Sequence, residues 1–147
     1  MQLIRRFIAG GAALLCAGAA LGCDVALSTP GILKLSSDGA TLSSANGGVA
    51  TVVVISNLSL LSPTTITLSN IRLDATPAGF AAPVSYSGSY SAGWLLTGTN
   101  GTIAPQASFN VPAVLNLAVT LTLDNTVMST GGFRQGAYST KTTITCS

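Results

Sequence analysis

The chain closes on Gly136-Ala-Tyr-Ser-Thr-Lys-Thr-Thr-Ile-Thr-Cys146-Ser147, and this stretch decides how the rest is read. After a glycine that permits a turn, the residues alternate. Tyr138, Thr140, Thr142, Ile144 and Cys146 fall on one side, and Ala137, Ser139, Lys141, Thr143 and Thr145 on the other. Tyr, Thr and Ile suit a pleated, half-buried surface, so the stretch predicts a terminal β-strand. Its cysteine shares a face with Ile144. The expected partner is Cys23, at the opposite end of the exported chain.

Residues 1–22 have the layout of a secretory signal peptide. Arg5 and Arg6 form a positive start, Phe7 to Leu21 is apolar or small, and Ala20-Leu21-Gly22 offers a cleavage site. The apolar run is too short to span a bilayer comfortably, and no later run is long enough. No transmembrane segment is therefore expected after signal cleavage. A single domain is expected over residues 23–147, exported to the periplasm, the cell surface or the extracellular space. Ala20-Leu21-Gly22-Cys23 also has the outline of a lipobox, with Leu at minus two instead of minus three, which leaves an envelope lipoprotein anchored at Cys23 as an alternative. Cysteine arithmetic favours a Cys23–Cys146 disulfide: Cys16 departs with the signal, and two cysteines remain in an oxidising setting.

Charge is scarce. Beyond the signal, Lys34, Arg72, Arg134 and Lys141 balance Asp24, Asp38, Asp74 and Asp124, and the chain has neither Glu nor His. A neutral, sparsely charged surface does not attract nucleic acid and puts little repulsion between copies.

Short strands follow one another at turn signals. Cys23, Val25 and Leu27 share a face up to Thr29-Pro30-Gly31. Leu33 and Leu35 point inward around Lys34, and Asp38-Gly39 turns the chain. Asn46-Gly47-Gly48 is expected to turn it again into residues 49–56, apolar on both faces and so a central strand. From Thr64 the alternation runs through Ile66 and Leu68, then slips to Ile71 and Leu73, as a β-bulge near Asn70 would cause. Residues 77–83 read as loop, 84–90 as a short strand, and Asn100-Gly101 as a two-residue hairpin turn. Residues 114–124 alternate most cleanly, with Leu115, Leu117, Val119, Leu121 and Leu123 inward, before Thr130-Gly131-Gly132 interrupts the chain. No window keeps a helical period over four turns. The fold class expected is all-β: an immunoglobulin-like, two-sheet antiparallel sandwich of seven to eight strands with Greek-key connections.

An N-terminal cysteine in the exported chain, a Ser/Thr-rich β body and the closing Gly136-x-Tyr138 strand with Thr140, Thr142 and Ile144 resemble bacterial surface proteins of the pilin and spore coat protein U type. The resemblance implies a fimbrial-like structural protein, with other surface subunits or a periplasmic chaperone as partners. Two departures stand out. Chaperone-usher pilins carry a donor-strand extension before their first cysteine, whereas here only the signal peptide precedes Cys23. Their internal disulfide commonly joins two early strands. The expectation is therefore a self-complete monomer with its last strand paired inside its own sheet, assembling through low-charge surface contacts.

Without His or Glu the common general bases are absent, and no Ser-His-Asp, Cys-His, zinc or EF-hand pattern occurs. No catalytic residue, metal or cofactor is assigned, and the protein is expected not to be an enzyme. The scattered Asp38, Asp74 and Asp124 read as solvated edge charges, with a calcium site from two of them as the sharper alternative. Tyr86, Tyr90 and Trp94, spaced by glycine and serine, could form a platform for a sugar face or else pack beneath the sandwich. The function expected is an exported structural or adhesive protein of the bacterial surface. A small secreted or periplasmic carbohydrate-binding module is the alternative. Asn57-Leu-Ser59 and Asn100-Gly-Thr102 match glycosylation sequons, which mean little in a bacterium.

Overall fold

Ten strand segments carry the described residues, 23–56 and 62–147, of the computed structural model; no helix occurs among them. In chain order they are β1 (Cys23–Thr29), β2 (Ile32–Leu35), β3 (Thr41–Gly48), β4 (Ala50–Ser56), β5 (Thr64–Ala75), β6 (Val84–Trp94), β7 (Thr97–Thr102), β8 (Gln106–Val111), β9 (Leu117–Ser129) and β10 (Ser139–Cys146). The expected signal peptide and the Asn57 sequon lie outside the described residues.

Two antiparallel sheets form. In the larger, β9 is flanked on one side by β6 along ten paired positions and on the other by β4 and β3 end to end. β1 and β2 pair in turn with β4 and β3, and β7 closes the far side as the hairpin partner of β6. Thus β1–β2 and β3–β4 are each one long strand with an interruption, and the ten segments act as eight strands. The smaller sheet has the order β10-β5-β8.

Alternation explains why the sheets stack. On β9, Leu117, Val119, Leu121 and Leu123 are buried while Ala118 and Thr120 are exposed. They meet Val52 and Val54 of the same sheet and Ile66, Leu68 and Ile144 of the other in one apolar cluster. A second cluster gathers Leu33, Leu42, Val127, Phe133 and Tyr138. In it the Phe80 and Phe133 rings lie stacked 5.6 Å apart, with Tyr138 edge-on to both at 5.3 and 5.2 Å. The Tyr138 hydroxyl donates to the Arg134 carbonyl at 3.1 Å, pinning the approach to β10.

The slip in β5 is a bulge. Lys141 pairs with Arg72, but Thr143 pairs with Ser69, so β5 holds one residue more than β10, and Asn70 takes φ 56°. Asn tolerates this left-handed conformation better than most residues.

Three sequence expectations are corrected. Asn46-Gly47-Gly48 does not reverse the chain, because residues 41–43 and 50–56 pair with β9 in the same direction. The segment instead swells out beside β2, where a Cβ on Gly47 would lie 2.0 Å from the Ile32 carbonyl oxygen. Asn100-Gly101 is not the hairpin turn but the middle of β7, paired with Ser91 and Tyr90. Gly101 is there for room: a Cβ would sit 3.0 Å from the Tyr90 ring. The turn is Leu95–Leu96, since Trp94 pairs with Thr97. Finally, Leu115 is exposed ahead of β9, which begins at Leu117.

Leu121 is fully buried and Thr120 exposed. Leu121→Ala is expected to cost about 2–5 kcal/mol and Thr120→Ala less than about 1 kcal/mol in chemical denaturation. Equal losses would contradict this assignment of faces.

Candidate functional site

The strand register defines two ends. Cys23 pairs with Ser56, and Ser56 with Leu117, while the Trp94–Thr97 turn lies just past the Gly93–Thr120 pair. These residues mark a disulfide pole. Val84 pairs with Ser129 and Thr41 with Met128 at the opposite, aromatic pole.

At the disulfide pole the Cys23 and Cys146 sulfurs are bonded, with Cα atoms 6.2 Å apart and 123 positions of sequence between them. The bond joins β1, an outermost strand of the larger sheet, to β10, an outermost strand of the smaller. The Cys23 sulfur is thus placed in the disulfide that the cysteine count favours. Alternation predicts this outcome, as Cys146 shares the buried face with Ile144. β10 pairs with β5 along one edge only. Among the described residues no strand lies beyond its other edge.

The inner face of β10 is not apolar throughout. Thr140 and Thr142 are buried, and the Asn125 side-chain amide of β9 donates to their hydroxyls at 3.2 and 3.0 Å. These bonds cross from one sheet to the other and separate the two apolar clusters. Next to them, Ser44 donates to Asp124 Oδ1 at 2.6 Å and accepts from the Asn125 backbone N–H at 2.9 Å. The Ser44 hydroxyl thereby holds the swollen part of β3 against β9.

The proposed aromatic platform is divided. Tyr90 and Trp94 are buried and stack on Phe109 of the other sheet, at 5.3 and 6.0 Å. Tyr86 remains on the surface, accepting from the Leu73 N–H at 3.3 Å. With Asn70, Ile71 and Pro105 it borders a shallow cleft of about 300 Å³. The carboxylates are also dispersed. Asp38 accepts from the Ser36 hydroxyl and the Ala40 N–H, and both bonds hold its carboxyl below its ordinary range. Asp74 is exposed on β5. No group of three or more metal-ligating side chains occurs among the described residues.

Two surface features went unread in the sequence. Leu95 and Leu96 stand out at the tip of the β6–β7 hairpin, 73 % and 104 % exposed, and Leu95 has φ 50°. For a residue with a Cβ that conformation costs roughly 1–2 kcal/mol. Val114 and Leu115 are exposed in the loop leading to β9 at the same pole. At the aromatic pole a cleft of about 540 Å³ is bordered by Ala40, Pro83, Val84 and Met128, together with Asp38 and Ser129. The adjacent Leu-Leu pair between Trp94 and Thr97 was the available signal for the first. The cleft had none, since it exists only where β3, β6 and β9 end together.

Comparison with protein-family models, with curated proteins and with solved structures finds no significant match to this chain.

Two measurements check this geometry. Reducing Cys23–Cys146 is expected to lower unfolding free energy by about 4–5 kcal/mol, through the entropy of a freed loop of more than a hundred residues. Asn125→Ala is expected to cost about 2–4 kcal/mol, because it leaves the buried Thr140 and Thr142 hydroxyls without their inter-sheet partner. A loss below about 0.5 kcal/mol at Asn125 would mean the bridge contributes little.

Proposed function

We propose that this chain is a non-enzymatic, exported structural subunit of the bacterial cell surface, similar in plan to pilin and spore coat protein U proteins. The observation that carries the reading is the strand order. Across the larger sheet, the long strand β1–β2, the long strand β3–β4, β9 and β6 follow the A-B-E-D order of an immunoglobulin domain. On this reading β5 and β10, neighbours in the facing sheet, would take the positions of C and F, with Greek-key connections between the sheets. The position of G, beside β10, has no counterpart among the described residues. A terminal strand with one open edge suits a protein that adds a strand from another subunit or a chaperone.

Export is supported by the disulfide, which persists in oxidising compartments. No helix among the described residues is long and apolar enough to cross a membrane. A second reading, carbohydrate binding, draws on Tyr86 and its cleft with Asn70.

The test is to fractionate cells carrying a tagged copy, and to run sheared surface material and periplasm on native gels beside a glycan array. The expected result is high-mass surface material that retains no glycan. A periplasmic monomer would overturn the structural reading, and one that retained a glycan would replace it with the carbohydrate-binding one.

A further inference from the structure

We infer that the outer face of the smaller sheet carries an anion site, where Arg72 and Lys141 together take a phosphate group. The inference goes beyond the structural-subunit reading and does not depend on it. Lys141 lies on β10 between Thr140 and Thr142, whose hydroxyls point inward to Asn125, so it faces out. Its registered partner on β5 is Arg72, on the same face, with Cα atoms roughly 5 Å apart. Like charges directly opposite each other destabilise a strand pair.

The bulge at Asn70 creates this pair. Before it, Thr65, Thr67 and Ser69 alternate with the buried Thr64, Ile66 and Leu68, and so face outward. Unbroken alternation from Ser69 would turn Ile71 out and Arg72 in. The extra residue reverses both: Ile71 packs against the aliphatic cluster, and Arg72 emerges beside Lys141. Re-aiming a side chain next to a functional site is a recurrent use of bulges.

Neither cation is neutralised within the fold. Among the described residues, Arg72 and Lys141 make no hydrogen bond or ion pair through their side chains. Asp74 is the only carboxylate on β5, β8 and β10; it is exposed and paired with neither cation. Lys141 is nevertheless only 8 % exposed. Its ammonium is not among the buried atoms that lack a partner, so a covered stem delivers that group to solvent. Packing has therefore already removed rotamer freedom that binding would otherwise cost. Arg72 is exposed, and its planar fork can grip two oxygens of one group. Two adjacent cations match a phosphate monoester or free phosphate, with nearly two negative charges at pH 7, better than a lone carboxylate.

The test titrates oxidised protein, expressed from the full chain, with sodium phosphate at constant ionic strength, followed by amide NMR. Shifts are expected to centre on Arg72 and Lys141, with half-saturation on the order of a millimolar. Lys141→Met and Arg72→Gln are each expected to weaken binding roughly tenfold or more. Lys34→Met, on the other sheet, should change nothing. Arg72 is exposed, so its variant carries the test if Lys141→Met does not fold. Thermal unfolding gives a second readout. Without phosphate, Arg72→Gln is expected to melt above wild type because the repulsion is gone; with phosphate, wild type should gain and the variant should not. An equal response to sodium acetate, unchanged binding in both variants, or an Arg72→Gln protein that melts below wild type overturns the site. Phosphatidic acid vesicles that retain wild type but neither variant support the site and identify a lipid headgroup as its ligand. Free phosphate bound without vesicle retention supports it with the soluble ion instead.

Discussion

The fit of the two sheets depends on one polar side chain. Alternating apolar faces attract each other without specifying how far one slides along the other, because burial is non-directional. Asn125 removes that freedom. Its amide reaches from β9 to Thr140 and Thr142 on the facing sheet, and any slide would leave those hydroxyls buried and unpaired. Other features gather around it. Gly88, paired with Asn125, leaves room where a Cβ would lie 2.5 Å from Ile71 and 3.3 Å from the Asn125 Oδ1. Ser44 braces the neighbouring backbone. The aliphatic cluster lies on one side of this belt and the aromatic cluster on the other.

The disulfide acts with the belt. Asn125 sets the register at mid-strand, and Cys23–Cys146 sets it again at one end, about four residues further along β10. Two fixed points on a rigid strand determine its angle as well as its position. At the opposite end the Tyr138 hydroxyl, bonded to the Arg134 carbonyl, holds the approach to β10. The closing strand is thus held by a covalent bond at Cys146, by the Asn125 amide of β9 that reaches Thr140 and Thr142, and by the Tyr138 phenol just ahead of it.

Alternation was also what made the fold legible from sequence. It identified β9, β10 and the bulge at Asn70, because each rests on which side a residue faces, and period two reports that directly; the central β4 showed instead as a run apolar on both faces. The same pattern singled out the two cysteines. It failed where a residue type serves more than one purpose. Asn46-Gly47-Gly48 and Asn100-Gly101 read as turns, yet Gly47 permits close approach to a backbone carbonyl and Gly101 makes space for a ring. β8 went unread because Gln106, Ser108 and Asn110 mask the inward alternation of Ala107, Phe109 and Val111. The true hairpin turn was hidden because leucine is among the residues least expected at positive φ.

The edges of the two sheets are not alike, and the difference gives the molecule a direction. β7 is short and built of Thr, Gly and Asn, and β2 is four residues long with Lys34 turned outward; such devices discourage pairing with another chain. β8 is also short, with Gln106, Ser108 and Asn110 on its outer face. β1 and β10 are longer; β1 has a bulge of its own between Leu27 and Thr29, while β10 has neither proline nor bulge but carries Lys141. They stand on the same side, bound together at one end by the disulfide. Each edge is therefore protected by a different device, and β10 by the fewest. In a chain with so little charge, these local devices and not net repulsion set how open each edge is.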